Sequence, residues 1–116
     1  MKQYTNEIQT AKLIELGFEK PKNERWVLDV ANESTPSIQN IVKRQDYSIG
    51  ELMEMLPQTI NVFYDLSIMR SHKGWWVLYG LIGDGDIWSV EHEVYRNDLI
   101  DALYNMIIML KEEGVI

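Results

Sequence analysis

Residues 60–92 read INVFYDLSIMRSHKGWWVLYGLIGDGDIWSVEH, and the fold turns on how this stretch is parsed. From Ile60 to Ile68 apolar and polar residues alternate. Ile60, Val62, Tyr64, Leu66 and Ile68 fall on one side, and Asn61, Asp65 and Ser67 on the other. A period of two is that of a half-buried strand. Ser71-His72-Lys73-Gly74 then supplies a hairpin loop with a glycine free to take a positive φ. Trp75–Ile82 is apolar on both faces, as in a central strand covered on both sides or one that leaves an aromatic stripe partly exposed. Gly83-Asp84-Gly85-Asp86 makes a second turn, and Ile87–His92 a third strand. Connections this short allow only antiparallel pairing, so the predicted centre is a three-stranded meander.

Helices flank it. Ser48-Ile49-Gly50-Glu51 is a capping box, with Tyr47 and Leu52 placed as a hydrophobic staple, and Pro57 stops the helix. After the meander, Asn97 is the expected cap of a last helix in which Leu99, Leu103, Met106 and Leu110 recur at helical spacing. Asp98 and Asp101 suit the positive end of its dipole, and Gly114 ends it with Val115 folding back onto Leu110. Near the N-terminus, Asn6 with Gln9 opens a helix to Leu16, and Gly17 with Phe18 closes it over Leu13. Arg25–Ala31 reads as a short strand with Trp26, Leu28 and Val30 on one face. In 32–46, Thr35-Pro36 is the place for a short helix that would group Ile38, Ile41 and Val42.

The expected fold class is therefore α+β in one domain, residues 1–116: an N-terminal helix, strand and loop over 1–46, then helix, three-stranded antiparallel meander and helix over 47–116. That second order is the topology of a double-stranded-RNA-binding domain. Such domains hold phosphates with lysines at the start of the last helix. Here the matching segment is Asn97-Asp98-Leu99-Ile100-Asp101, which is acidic. The formal charge is −7, and residues 59–116 carry four Lys/Arg against nine Asp/Glu. A surface of that sign repels a phosphate backbone, so nucleic acid is not an expected partner.

Length and composition bound the rest. With 116 residues, 46% apolar and 25% charged, the chain can bury a core of its own. There is no cysteine, hence no disulfide and no thiolate nucleophile or ligand. The first residues lack the apolar centre of a secretion signal, and no apolar run nears the ~18–20 residues needed to span a bilayer. The expectation is a cytoplasmic protein without a membrane partner.

Motifs with chemistry fail one by one. Counted from Asp84, a calcium loop would put Trp88 at its fifth position and Ser89 where glycine is required. His72 and His92, the only histidines, have no carboxylate at a spacing that predicts convergence. Gly80-Leu81-Ile82-Gly83-Asp84-Gly85 lacks the helix a dinucleotide site needs. No catalytic residue, metal site or cofactor is expected, and an enzyme is the less favoured class.

The aromatic residues remain. Trp75 and Trp76 are adjacent on a strand and must point to opposite faces. Because Gly80 leaves room for close approach, Trp76 is expected beneath a helix, with Trp75 and Tyr79 on the second face. Either residues 1–46 cover that face, or Trp75, Tyr79 and Trp88, with Asp84 and Asp86 in the neighbouring turn, form an aromatic and acidic surface for a protein partner. A small-ligand or enzymatic pocket between sheet and N-terminal segment is the alternative.

Three segments carry a resemblance: Tyr47-Ser48-Ile49-Gly50-Glu51-Leu52-Met53-Glu54-Met55-Leu56-Pro57, the pair Gly74-Trp75, and Asp98-Leu99-Ile100-Asp101-Ala102-Leu103-Tyr104 with the ending Lys111-Glu112-Glu113-Gly114-Val115-Ile116. Together they resemble small uncharacterised proteins of prophages and mobile elements in gut-dwelling bacteria, best over residues 47–116. The resemblance implies an accessory phage-type protein and brings no catalytic motif.

Overall fold

Both Gly17 and Gly114 adopt left-handed backbone, and each ends a helix by the same pair of hydrogen bonds. Gly17 N–H donates to Ile14 O and Phe18 N–H to Leu13 O; Gly114 N–H donates to Lys111 O and Val115 N–H to Leu110 O. These are the ends of α1 (Glu7–Glu15) and α3 (Leu99–Glu112). The first turns are as specific. Asn6 and Gln9 form a reciprocal capping box on α1, and Ser48 and Glu51 do so on α2 (Ile49–Met55). On α3 the cap is Asp98, one residue later than expected, because its carboxylate accepts from Ile100 N–H at 3.0 Å.

The computed structural model describes residues 2–28 and 41–116. Among these residues it is an α+β arrangement of three helices and two antiparallel sheets. The larger sheet has four strands in sequential order, β3 (Thr59–Ile60), β4 (Tyr64–Ser71), β5 (Gly74–Gly83) and β6 (Asp86–Arg96). The smaller pairs β1 (Glu24–Leu28) with β2 (Ile41–Gln45).

This corrects the three-stranded meander and its likeness to an RNA-binding domain. The expected strand Ile60–Ile68 is two strands, because Asn61 and Val62 both have positive φ and Phe63 N–H donates to Asn61 O across a tight turn. Ile60 is paired with Tyr64. The short helix expected around Ile38–Val42 is also corrected over the described part: Ile41 and Val42 lie in β2, opposite Leu28 and Val27. Val30, Ala31, Thr35, Pro36 and Ile38 lie outside the described residues. In the β4–β5 loop no positive φ is used. Gly74 is required instead by proximity, since a Cβ there would meet Arg96 O at 2.5 Å.

All three helices contribute to one core on one face of the large sheet. Leu13 of α1, Leu52 of α2 and Ile100, Leu103, Met106, Ile107 and Leu110 of α3 are buried with Val77, Tyr79 and Val94 of the sheet. Tyr47, the staple residue, is buried in the same cluster, and its hydroxyl donates to Glu19 O. Trp75, Leu66 and Ile68 pack against that core. The expected assignment of the two tryptophans is thus reversed, and Trp75 and Tyr79 belong under the helices.

The small sheet is fastened through Asp46, whose carboxylate is 1% exposed. It accepts from Arg25 Nη2 at 2.9 Å and Arg44 Nη2 at 3.0 Å, from residues paired across β1 and β2, and from Thr10 Oγ1 at 2.6 Å. Tyr47 N–H donates to Thr5 Oγ1, which lies 2.7 Å from Thr10 Oγ1, so the backbone, two threonines and the carboxylate form one relay.

Candidate functional site

The second face of the large sheet is the candidate site. Alternation and register put Ser67 and Met69 of β4, Trp76, Leu78 and Ile82 of β5, and Glu93 and Tyr95 of β6 on it. The helices leave this face uncovered, since α1, α2 and α3 all join the core on the other side. Residues 1–46, as far as they are described, do not fill the gap: Leu13 is in the helix-side core and β1–β2 forms a sheet of its own.

Gly80 explains how the face is built. Its missing Cβ would stand 2.9 Å from Leu78 Cδ1 and 2.9 Å from Ser89 O. The room left by this glycine is taken by a neighbouring side chain and the adjacent strand, and no helix enters it. Leu78 is consequently fully buried although it lies outside the main core. Trp76 leans toward β6, its Nε1 donating to Glu93 Oε2 at 3.1 Å, and Tyr95 hydroxyl pairs with Ser71 Oγ.

Beyond Gly80 the β5–β6 ribbon changes character. Two register shifts leave Glu91 and Trp88 as extra residues on β6. Bulges of this kind bend a strand and re-aim a side chain. Trp88 is 67% exposed, and its Nε1 donates back to Gly83 O at 2.8 Å. Asp84 and Gly85 form a two-residue turn with positive φ at both, and Asp84 and Asp86 are exposed. Leu81, Ile82 and Val90 are also exposed here.

Of the residues expected to form an aromatic and acidic surface, only Trp88, Asp84 and Asp86 lie together on the outside. Tyr79 is fully buried, its hydroxyl donates to Pro57 O at 2.6 Å, and burial pushes its pKa far above the ordinary tyrosine range. Trp75 lies on the same inner face, with the Arg70 guanidinium 5.6 Å from its ring centre. Met69, Trp76 and Tyr95 were missed as surface residues of this face, and Leu78 as the buried residue beneath them. The signal for them was the pairing of Trp75 with Val77 and Tyr79, the more uniformly bulky set, which suits a core better than the set containing Gly80.

Groups that could carry chemistry are engaged elsewhere. His92, on the inner face, meets Glu113 at the end of α3 through Nε2, a convergence that lies 21 residues apart in sequence. Asp101 accepts from Lys2 Nζ and Gln9 Nε2, both at 2.8 Å. Burial works to raise its pKa, but those hydrogen bonds and the charges of Lys2 and Arg96 outweigh it and hold the carboxyl below its usual range. A depression of about 390 Å³ lies between the α1–β1 loop and α2, not against the sheet. Its Glu51 is already used by Ser48 and Lys22 N–H. Among the described residues no three His, Asp or Glu side chains group as metal ligands, and no helix is long and apolar enough to cross a membrane. Comparison with protein families, with curated proteins and with solved structures gives no match to this chain.

Proposed function

We propose that this chain is a non-enzymatic protein-interaction module of the phage or mobile-element accessory kind, acting in the cytoplasm by holding a partner protein on the open face of its large sheet. The observation that carries the reading is a patch of half-buried Met69 and Trp76 with exposed Ile82 and Tyr95, seated over the buried Leu78 on the face away from α1, α2 and α3 and bordered by Asp84, Asp86, Glu91 and Glu93. Exposed aromatic and apolar residues in one patch are the usual material of an interface centre. The carboxylates select a partner whose own apolar patch is flanked by lysine or arginine. The resemblance of residues 47–116 to prophage proteins supplies the biological setting. The acidic border and the acidic cap of α3 speak against a nucleic-acid ligand, and duplex RNA or DNA at ~0.1 M salt should show no saturable binding.

The test compares variants in cross-linking from host lysate. A protein captured by the wild type and by Ile8→Lys, an exposed change on α1, should be lost with Ile82→Lys and with Tyr95→Ala. Capture that survives both sheet-face variants, or that Ile8→Lys alone abolishes, rules the face out.

A further inference from the structure

The outer edge of β6 has a geometry of its own. β6 is the end strand of the large sheet, and among the described residues no strand pairs with its far side. The direction of its backbone groups follows from one contact. Arg96 O lies 2.5 Å from the position of a Cβ on Gly74, so it points into the sheet, toward β5. Backbone groups alternate along an antiparallel strand, so Val94 and His92 also bond inward, while Glu93 and Tyr95 turn their N–H and C=O outward. The bulges at Trp88 and Glu91 interrupt the ladder beyond this point, which leaves His92–Arg96 as the regular stretch of free edge.

A groove of about 700 Å³ runs beside that edge. Trp76, Ile108 and Met109 give it an apolar lining, and Glu93, Glu112 and Glu113 give it carboxylates. Free edges invite indiscriminate pairing and are commonly guarded by charge. Here the guard is Arg96, whose Nη1 donates to the outward carbonyl of Tyr95 at 2.7 Å.

We propose that the edge His92–Arg96 takes an extended segment of a partner protein as a fifth strand, a segment alternating basic and apolar residues, with its apolar side chains in the groove beside α3. The proposal rests on the protein-interaction reading above and names the chemistry and backbone form of the partner. Outward N–H and C=O groups supply affinity by strand addition, and alternate side chains supply specificity. The carboxylates favour a basic segment over a second copy of this acidic chain.

The probe is a blocked ten-residue peptide of alternating lysine and valine, titrated into the full chain by calorimetry and by amide hydrogen exchange. Saturable binding is expected, with the Glu93 and Tyr95 amides becoming protected. N-methylation of alternate peptide bonds should weaken it by about tenfold, the loss of one or two net hydrogen bonds. Glu93→Lys, on the face where the lysines of the added strand would stand, should weaken it, and Arg96→Gln, which frees the Tyr95 carbonyl and removes a like charge, should strengthen it. Equal binding of the N-methylated peptide, protection confined to Met69 and Leu78, or pairing of the edge with a second copy in sedimentation would each overturn strand addition. The last two results leave the sheet-face test standing, and loss of capture with Ile82→Lys alongside no peptide binding would separate the two readings.

Discussion

The side chain of Leu78 occupies the space that a β-carbon on residue 80 would need, with Cδ1 2.9 Å from that position. On a face without a helix, this contact and the Ser89 carbonyl across the strand are what make Gly80 necessary. Gly80→Ala should cost about 1–3 kcal/mol by overpacking. Leu78→Ala should cost about 2–3 kcal/mol, because Leu78 is fully buried. In urea unfolding the double variant should lose less than the two single losses combined, since removing Leu78 relieves one of the two clashes.

The adjacent tryptophans should differ in the opposite sense to that expected from sequence. Trp75 packs against the main core beneath the helices, whereas Trp76 stands on the open face and bonds Glu93. Trp75→Ala is expected to cost about 3 kcal/mol, toward the lower end for a tryptophan because it is only partly buried. Trp76→Ala should cost clearly less. Equal losses in urea would mean that the second face is as well covered as the first.

Most element ends were legible because they are local. Caps at Asn6 and Ser48 and stops at Gly17 and Gly114 need only four or five neighbouring residues to be recognised. The split of Ile60–Ile68 was hidden for a geometrical reason. A three-residue turn pairs Ile60 with Tyr64, and cross-strand partners point to the same side just as residues four apart on one strand do. The alternation of Ile60, Tyr64, Leu66 and Ile68 is therefore identical for one long strand and for a hairpin. β2 was hidden because its partner β1 is distant in sequence, and Ile41–Gln45 has no strict alternation. The candidate face was half legible: opposite-facing tryptophans follow from the pleat, but which face receives helices depends on where Leu78 goes, a tertiary fact.

Asp46 should prove the anchor of the small sheet. Asp46→Ala strands the Arg25 and Arg44 guanidiniums and the Thr10 hydroxyl. The arginines are 32% and 25% exposed and can partly rehydrate, so the loss should be about 2–3 kcal/mol, below that for a fully buried pair. Hydrogen exchange locates the effect. Amides of β1 and β2 should lose protection while those of β5 keep theirs, and uniform loss across both sheets would contradict the anchoring role.

Asp101 makes stability depend on acid. Its pKa is lowered in the folded chain by Lys2 and Gln9, against the opposing effect of burial. A depressed carboxyl contributes stability that is present above its unfolded value of ~3.9 and is lost as pH falls through the folded value. Asp101→Asn should therefore be less stable than the wild type near neutrality, with the gap closing as pH drops from about 5 toward 2. The group is more than a third exposed, so the gap should also shrink in salt. A difference that stays constant over that range would mean that the carboxylate charge is not what Lys2 recognises.

Among the described residues, Val62 is the least comfortable in the backbone. It is β-branched, has φ 70°, follows Asn61 at φ 49°, and is 83% exposed. Left-handed backbone costs a side-chain-bearing residue about 1–2 kcal/mol, and branching at Cβ worsens the clash with the carbonyl. Exposure means that almost no burial is gained in return. Asn61 is a residue type that tolerates this region, so the strain concentrates on Val62. Val62→Gly removes the clash, while the added freedom of the unfolded chain takes back about 0.5–1 kcal/mol. The net expectation is a gain of up to about 1 kcal/mol in urea, with Ile60 still paired to Tyr64. Val62→Ala retains a Cβ and should recover little of it. A loss of stability in the glycine variant would mean that the Val62 side chain makes a contact worth more than the strain, and would mark this turn, with exposed Phe63 beside it, as held in place by packing.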